Sequence, residues 1–185
     1  KSTLPEEMIY HDLAHTLNVE KSALRLARLE GLDEEEIMLL RTAVLYHDSG
    51  FIFTYSRNEL HGVRMMEQSL PKYGYDQEQI AAIRSMILAT SSGNEPVTLL
   101  EQIMCDADHD YLGRADYYMV AEKLREEIAV FGTIMSEEEW LNFQLGYLQH
   151  EHKFYTSTSK NIRERGKQNR IAELRTKLRQ LQIQE

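Results

Sequence analysis

The sequence predicts an all-α protein, and three observations carry that prediction. Proline and glycine are scarce, three and nine in 185 residues, so few positions interrupt a run of helices. Apolar residues recur three and four positions apart over most of the chain, the period of a helix with one buried face. Between those stretches stand helix-starting signals: Asp33 with Glu36 three residues on, Asp76, and Ser136 followed by three glutamates.

The length suits one domain with a real core, or one domain plus an appendage. Apolar residues at 42% and charged residues at 28% describe an ordinary globular chain. No apolar run approaches the ~20 residues of a membrane span. Lys1-Ser2-Thr3-Leu4-Pro5 carries no apolar signal segment and no initiating Met, which reads as a trimmed chain or a piece of a longer one. A single cysteine, Cys105, excludes an internal disulfide and points to the reducing cytoplasm; it reads as a small buried apolar residue, not a nucleophile. The net charge of −9 is uneven: residues 160–185 carry eight Lys/Arg against three Glu, a balance of +5, which leaves −14 on residues 1–159. An acidic body argues against binding duplex nucleic acid but leaves room for a small phosphorylated partner.

In chain order, Pro5, Glu6 and Glu7 read as a first helical turn. The helix they open is expected to run through His11 and His15 and end near Gly31. His11 and His15 are four apart, and Val19 continues their face. A second helix opens at Asp33; its apolar face of Ile37, Leu40 and Val44 leads straight to His47 and Asp48 before a stop at Gly50. Residues 51–58 read as a loop with aromatic content, suited to cover a site. The next helix starts at Glu59, carries His61 with Gly62 beside it for close approach, and stops at Pro71. Asp76 caps a helix over 77–90 whose Ile80, Ile83 and Ile87 are core, and residues 91–96 break the chain.

Asp106, Asp108 and Asp110 alternate through a segment apolar enough to be a central helix. Spacing barely separates Asp106 from Asp108, and Asp110 is expected to face solvent. Two further helices follow, over 116–131 and from Ser136, and His150 and His152 read as surface residues. The basic last helix carries a narrow seam of Ile171, Leu174, Leu178 and Leu181. That seam either packs back on the body or meets a second subunit or a neighbouring domain.

Taken singly, a His-Asp pair at a helix end, two histidines four apart and a lone His61 are ordinary features. Yet a carboxylate on a buried face costs several kcal/mol or more unless it is paired, neutralised or bound to a cation. A divalent ion would satisfy His47 and Asp48 together, and ferrous iron, manganese, zinc or nickel accept mixed nitrogen and oxygen ligands.

Three segments together resemble the HD superfamily of metal-dependent phosphohydrolases, whose pattern is H…HD…D: Tyr10-His11 through His15-Thr16-Leu17-x-Val19, His47-Asp48-x-Gly50, and Asp106-Ala107-Asp108 through Leu112-Gly113. The resemblance covers roughly residues 8–130. It implies a helical bundle with a five-helix core plus additional C-terminal helices; with the charge balance and the seam, the chain reads as an HD-type domain over 1–159 and a basic amphipathic appendage over 160–185. Carried over position by position, His15, His47, Asp48 and Asp108 would hold the metal, with Asp106 as the alternative to Asp108. The implied cofactor is a divalent ion: manganese, iron, nickel, cobalt, zinc or magnesium.

The resemblance also implies catalytic roles for Asp48, as the base orienting water, and for His11 and His61, as proton donors to the departing oxygen or, for His61, an extra ligand. Arg64 and Arg114 are the candidates to neutralise phosphate. Triphosphohydrolase relatives tend to carry a basic residue after the last aspartate; His109 stands there, which argues against a nucleoside triphosphate. The implied function is metal-activated hydrolysis of a phosphate mono- or diester of a nucleotide or similar small molecule. The alternatives are a regulatory metal- or nucleotide-binding module, with the C-terminal seam reaching a partner, and a di-iron oxygenase using His61. No membrane or duplex nucleic acid is expected as a partner.

Overall fold

The computed structural model describes residues 4–184. Among the described residues there are eight α-helices and no strand, as the sequence predicts. No helix among them is long and apolar enough to cross a membrane. The chain divides into two compact units, Lys1–His109 and Asp110–Glu185.

The first unit holds α1 (Leu13–Glu30), α2 (Glu34–Tyr46), α3 (Asn58–Ser69), α4 (Gln77–Ala89) and α5 (Leu99–Asp108). These are the five helices of the expected core. Helix α1 packs on α2 and α5, α2 on α4, and α4 on α3 and α5. The interior they share includes Val19, Ala23, Leu40, Val44, Met66, Ile83, Met86, Ile87, Ile103 and Met104. Reciprocal capping boxes start three of the helices, at Asp33 with Glu36, Asp76 with Gln79 and Thr98 with Glu101. Each such cap satisfies amide groups that would otherwise lack a partner in the first turn.

The start of α1 departs from expectation. Asp12, not Pro5, begins it: the Asp12 carboxylate accepts the backbone N–H of His15 at 2.8 Å, which fixes the helix start at Leu13. Residues 5–12 form turns, so His11 precedes the helix and does not share a helical face with His15. At its far end α1 closes on Gly31, in the left-handed region at φ 79°. Gly50 also plays another part than a helix stop. Helix α2 has already ended at Tyr46, and Gly50 lies within a 3-10 turn, Ser49–Ile52. A Cβ there would collide with the Asn58 carbonyl, so glycine lets the turn press against the start of α3. Gly62 serves the same purpose one turn into α3, where a Cβ would stand 2.5 Å from the Tyr46 carbonyl oxygen.

The second unit contains α6 (Tyr117–Phe131), α7 (Glu137–Gly146) leading into a π-helical turn over Tyr147–Glu151, and α8 (Ser157–Gln184). The seam of the basic helix is internal to this unit: Ile171, Leu174 and Leu178 are buried with Leu112, Tyr117, Trp140, Leu141 and Leu148. Packing divides the chain into compact units between residues 109 and 110, a different line from the change of charge at 159/160. Close backbone approach joins α8 to the turn Asp110–Gly113, since a Cβ on Gly166 would collide with the Gly113 carbonyl. Asp110, expected to face solvent, is buried and receives a bidentate contact from Arg163 at 2.6 and 3.0 Å. His152 is likewise buried, edge-on to Phe154, while His150 is exposed as expected.

Candidate metal centre

The H…HD…D residues lie in the first unit, on the facing ends of its helices. His15 sits on the first turn of α1, positioned by the Asp12 cap. His47 is the residue that ends α2, where the apolar face of Leu40 and Val44 carries its ring into the interior at 1% exposure. Asp48 follows at the head of the 3-10 turn, and Asp108 is the last residue of α5.

Their donor atoms converge. The Asp48 Oδ2 atom lies 3.0 Å from His47 Nε2 and 3.2 Å from His15 Nε2. Asp108 Oδ1 lies 3.1 Å from His15 Nε2 and 3.7 Å from His47 Nε2. Ligand atoms of His15, His47 and Asp48 all fall within 4.8 Å of one another. His15 Nε2, His47 Nε2 and Asp48 Oδ2 are each buried without a hydrogen-bond partner. Polar atoms sealed from water at such a cost are normally paired, and three aimed at one point could share a cation.

The tautomer of His47 fits that reading. Its Nδ1–H donates to the Val44 carbonyl at 2.7 Å, which leaves the Nε2 lone pair pointing at the other donors. Two imidazole nitrogens with carboxylate oxygens suit a borderline divalent ion, so His15, His47 and Asp48 could hold one. With no cation, the two histidines hold protons and the two carboxylates stay charged. Burial disfavours a charged His15, but Asp108 and Asp48 outweigh it and raise its pKa to about 9. His47 is also raised against its burial, chiefly by Asp48. Burial works against the Asp48 and Asp108 anions too; the two histidines prevail and hold both carboxyls well below the usual range.

The structure brings Asp108, rather than Asp106, to the imidazoles; Asp106 is buried farther back in α5. His11 stands beside the centre, its ring 5.8 Å from that of His15 and stacked 4.2 Å from Phe51, with Tyr55 edge-on at 6.4 Å. His61 is not in the converging group and stacks on the exposed Phe53 at 5.8 Å. Arg64 is exposed on α3. Arg114 belongs to the second unit and is committed there, with Nε 2.8 Å from Asp116, a further contact to that carboxylate, and Asp110 at 3.8 Å. His109 turns its Nδ1 back to the Cys105 carbonyl at 3.1 Å.

Sequence reasoning missed Asn58. Its side-chain N–H approaches Asp48 Oδ1 at 3.4 Å from a position 5% exposed. An asparagine just before Glu59 is a common helix-start signal, so nothing in the pattern pointed beyond that role.

Comparison with known proteins agrees with this geometry. The sequence profile of the HD domain matches residues 12–110, more than half of the chain, and the chain belongs to that family. A solved structure, a predicted HD superfamily hydrolase from an uncultured Thermotogales bacterium, is similar with a TM-score of 0.57 and 19% identity. The match spans 94% of this chain and 81% of that one, and at that identity it shows a shared fold. No curated protein matches.

Proposed function

We propose that the chain is a metal-dependent phosphohydrolase acting on a phosphate mono- or diester, with a nucleotide or similar small molecule as substrate. The convergence of His15 Nε2, His47 Nε2, Asp48 Oδ2 and Asp108 Oδ1 carries the reading. The description of the similar solved structure as a predicted hydrolase supports it.

In this reading His15, His47, Asp48 and Asp108 hold one divalent ion and, being four, leave positions open to water and substrate. Such an ion supplies Lewis acidity that activates water near neutral pH and polarises a phosphoryl oxygen. Asp48 also orients the attacking water and accepts its proton. His11, held flat against Phe51, donates a proton to the departing ester oxygen. Arg64 attracts the substrate phosphate from the surface of α3.

The test is a panel of nucleotide mono- and diesters assayed with manganese, iron(II), cobalt, nickel, zinc and magnesium. The expected outcome is turnover that depends on one of these ions and is lost in Asp48→Ala. A chain that binds metal but turns over no phosphoester would refute the hydrolase and favour a regulatory module. Oxygen uptake by a di-iron form would refute it in favour of oxygenase chemistry.

A further inference from the structure

Asp48 must present one oxygen to the centre, and its own backbone does not arrange this. It heads the 3-10 turn at φ −100° and ψ 0°, and its side chain makes no capping bond to that turn. The carboxylate is therefore free to rotate unless something beyond the turn holds it. From the geometry we infer that Asn58 is the positioning residue that aims Asp48, an inference that rests on the metal-dependent reading above.

The two oxygens of Asp48 are divided between different neighbours. Oδ2 faces the nitrogens of His15 and His47, while Oδ1 faces the Asn58 amide N–H at 3.4 Å. Asn58 is nearly sealed from solvent, so water does not readily take its place. An amide that engages one oxygen leaves the other as the ligand, which is how outer partners commonly orient a metal-binding carboxylate.

Two backbone features hold Asn58 in place. Gly50, two residues after Asp48, lets the turn press against the Asn58 carbonyl, where any Cβ would collide. Arg57, immediately before Asn58, takes the left-handed conformation at φ 56° and ψ 36°, the one non-glycine with positive φ among the described residues. Bulky side chains rarely adopt that region, and such strain tends to persist where surrounding structure over-determines it. Gly50 and Arg57 flank the same contact from its two ends.

The experiment measures manganese affinity of the full chain by competition with a metal-binding dye, alongside the melting temperature of the metal-free protein. The variants are Asn58→Ala and Asn58→Leu, with Asp48→Ala as reference. Leucine keeps nearly the shape of asparagine and removes only the hydrogen bond, so a packing failure in Asn58→Ala leaves the question answerable. The expected result is a loss of about 10–100-fold in affinity for both Asn58 variants, the scale of outer-sphere partners. Wild-type affinity in Asn58→Leu, or a lower melting temperature with unchanged affinity, would overturn the inference while leaving the metal reading intact. A wild-type chain that takes up none of manganese, iron(II), cobalt, nickel or zinc would refute the metal reading and this inference together.

Discussion

Replacing Asp108 by alanine, with Asp106→Ala beside it, probes the fourth donor and can be read without knowing the substrate. An ion that binds only the folded chain raises stability by RT ln(1 + [L]/Kd), ~2.7 kcal/mol at a free concentration 100 times Kd. For a chain of this size each kcal/mol moves the midpoint by roughly 2–4 °C, so manganese at that level raises the wild-type melting temperature by about 5–11 °C. Asp108→Ala removes an oxygen that lies 3.1 Å from His15 Nε2 and 3.7 Å from His47 Nε2, and the rise should vanish at the same manganese concentration. Without metal the change removes the contacts of Asp108 with His15 and His47, and His15 can relieve its own loss by giving up its proton. The melting temperature of the metal-free variant is read beside the manganese-induced rise, so a loss of stability is told apart from a loss of binding. Asp106→Ala should keep the manganese-induced rise, whatever its effect on the core of α5. The assay is thermal unfolding with and without manganese, with a chelator as baseline. A full rise in Asp108→Ala together with none in Asp106→Ala would refute the placement of the fourth ligand.

Three other outcomes follow from the same geometry. The His15 pKa is raised from 6.5 to about 9, so the proton it holds stabilises the metal-free site fully below 6.5 and that contribution is lost as pH rises through about 9. Metal binding must displace this proton, so the sign for affinity is opposite. Manganese should bind about tenfold more tightly per pH unit for each proton displaced between about pH 7 and about pH 8, and titration calorimetry in buffers of different ionisation enthalpy should detect the release. A pH-independent Kd there would contradict the protonated pair. In the second unit, Gly166→Ala drives a Cβ into the Gly113 carbonyl, a backbone group that cannot step aside, and should cost about 1–3 kcal/mol or more in urea unfolding. Gly146→Ala, with nothing within 4 Å and ordinary helical angles, should be neutral or slightly stabilising.

Much of the site was legible in one dimension because helices convert spacing into direction. The stripe of Leu40 and Val44 leads to His47 because residues three and four apart share a face, and the same rule buried Ile80, Ile83 and Ile87. Helix starts were readable where a side chain caps its own backbone, as at Asp33, Asp76 and Ser136. The apolar face that ends at His47 and Asp48 singled out that pair, since buried ionisable groups need a reason, and the resemblance to the H…HD…D pattern added His15.

What spacing could not decide was anything that depends on a partner distant in sequence. Asp106 and Asp108 both have apolar residues one turn away, and only the crossing of α5 beside α1 brings Asp108 to His15. Asp110 reads as a solvent-facing acid until Arg163, 53 residues on, arrives to neutralise it. The seam of α8 has the same pattern whether it meets another subunit or its own chain, and the core of the second unit settles that it packs internally. Asn58 was invisible because its contact with Asp48 depends on a glycine-permitted approach and a left-handed residue, neither of which leaves a periodic trace. Local sequence determines which residues a helix presents. Which carboxylate meets which imidazole is decided by how the helices cross, because burial and charge act on distances that only the folded chain creates.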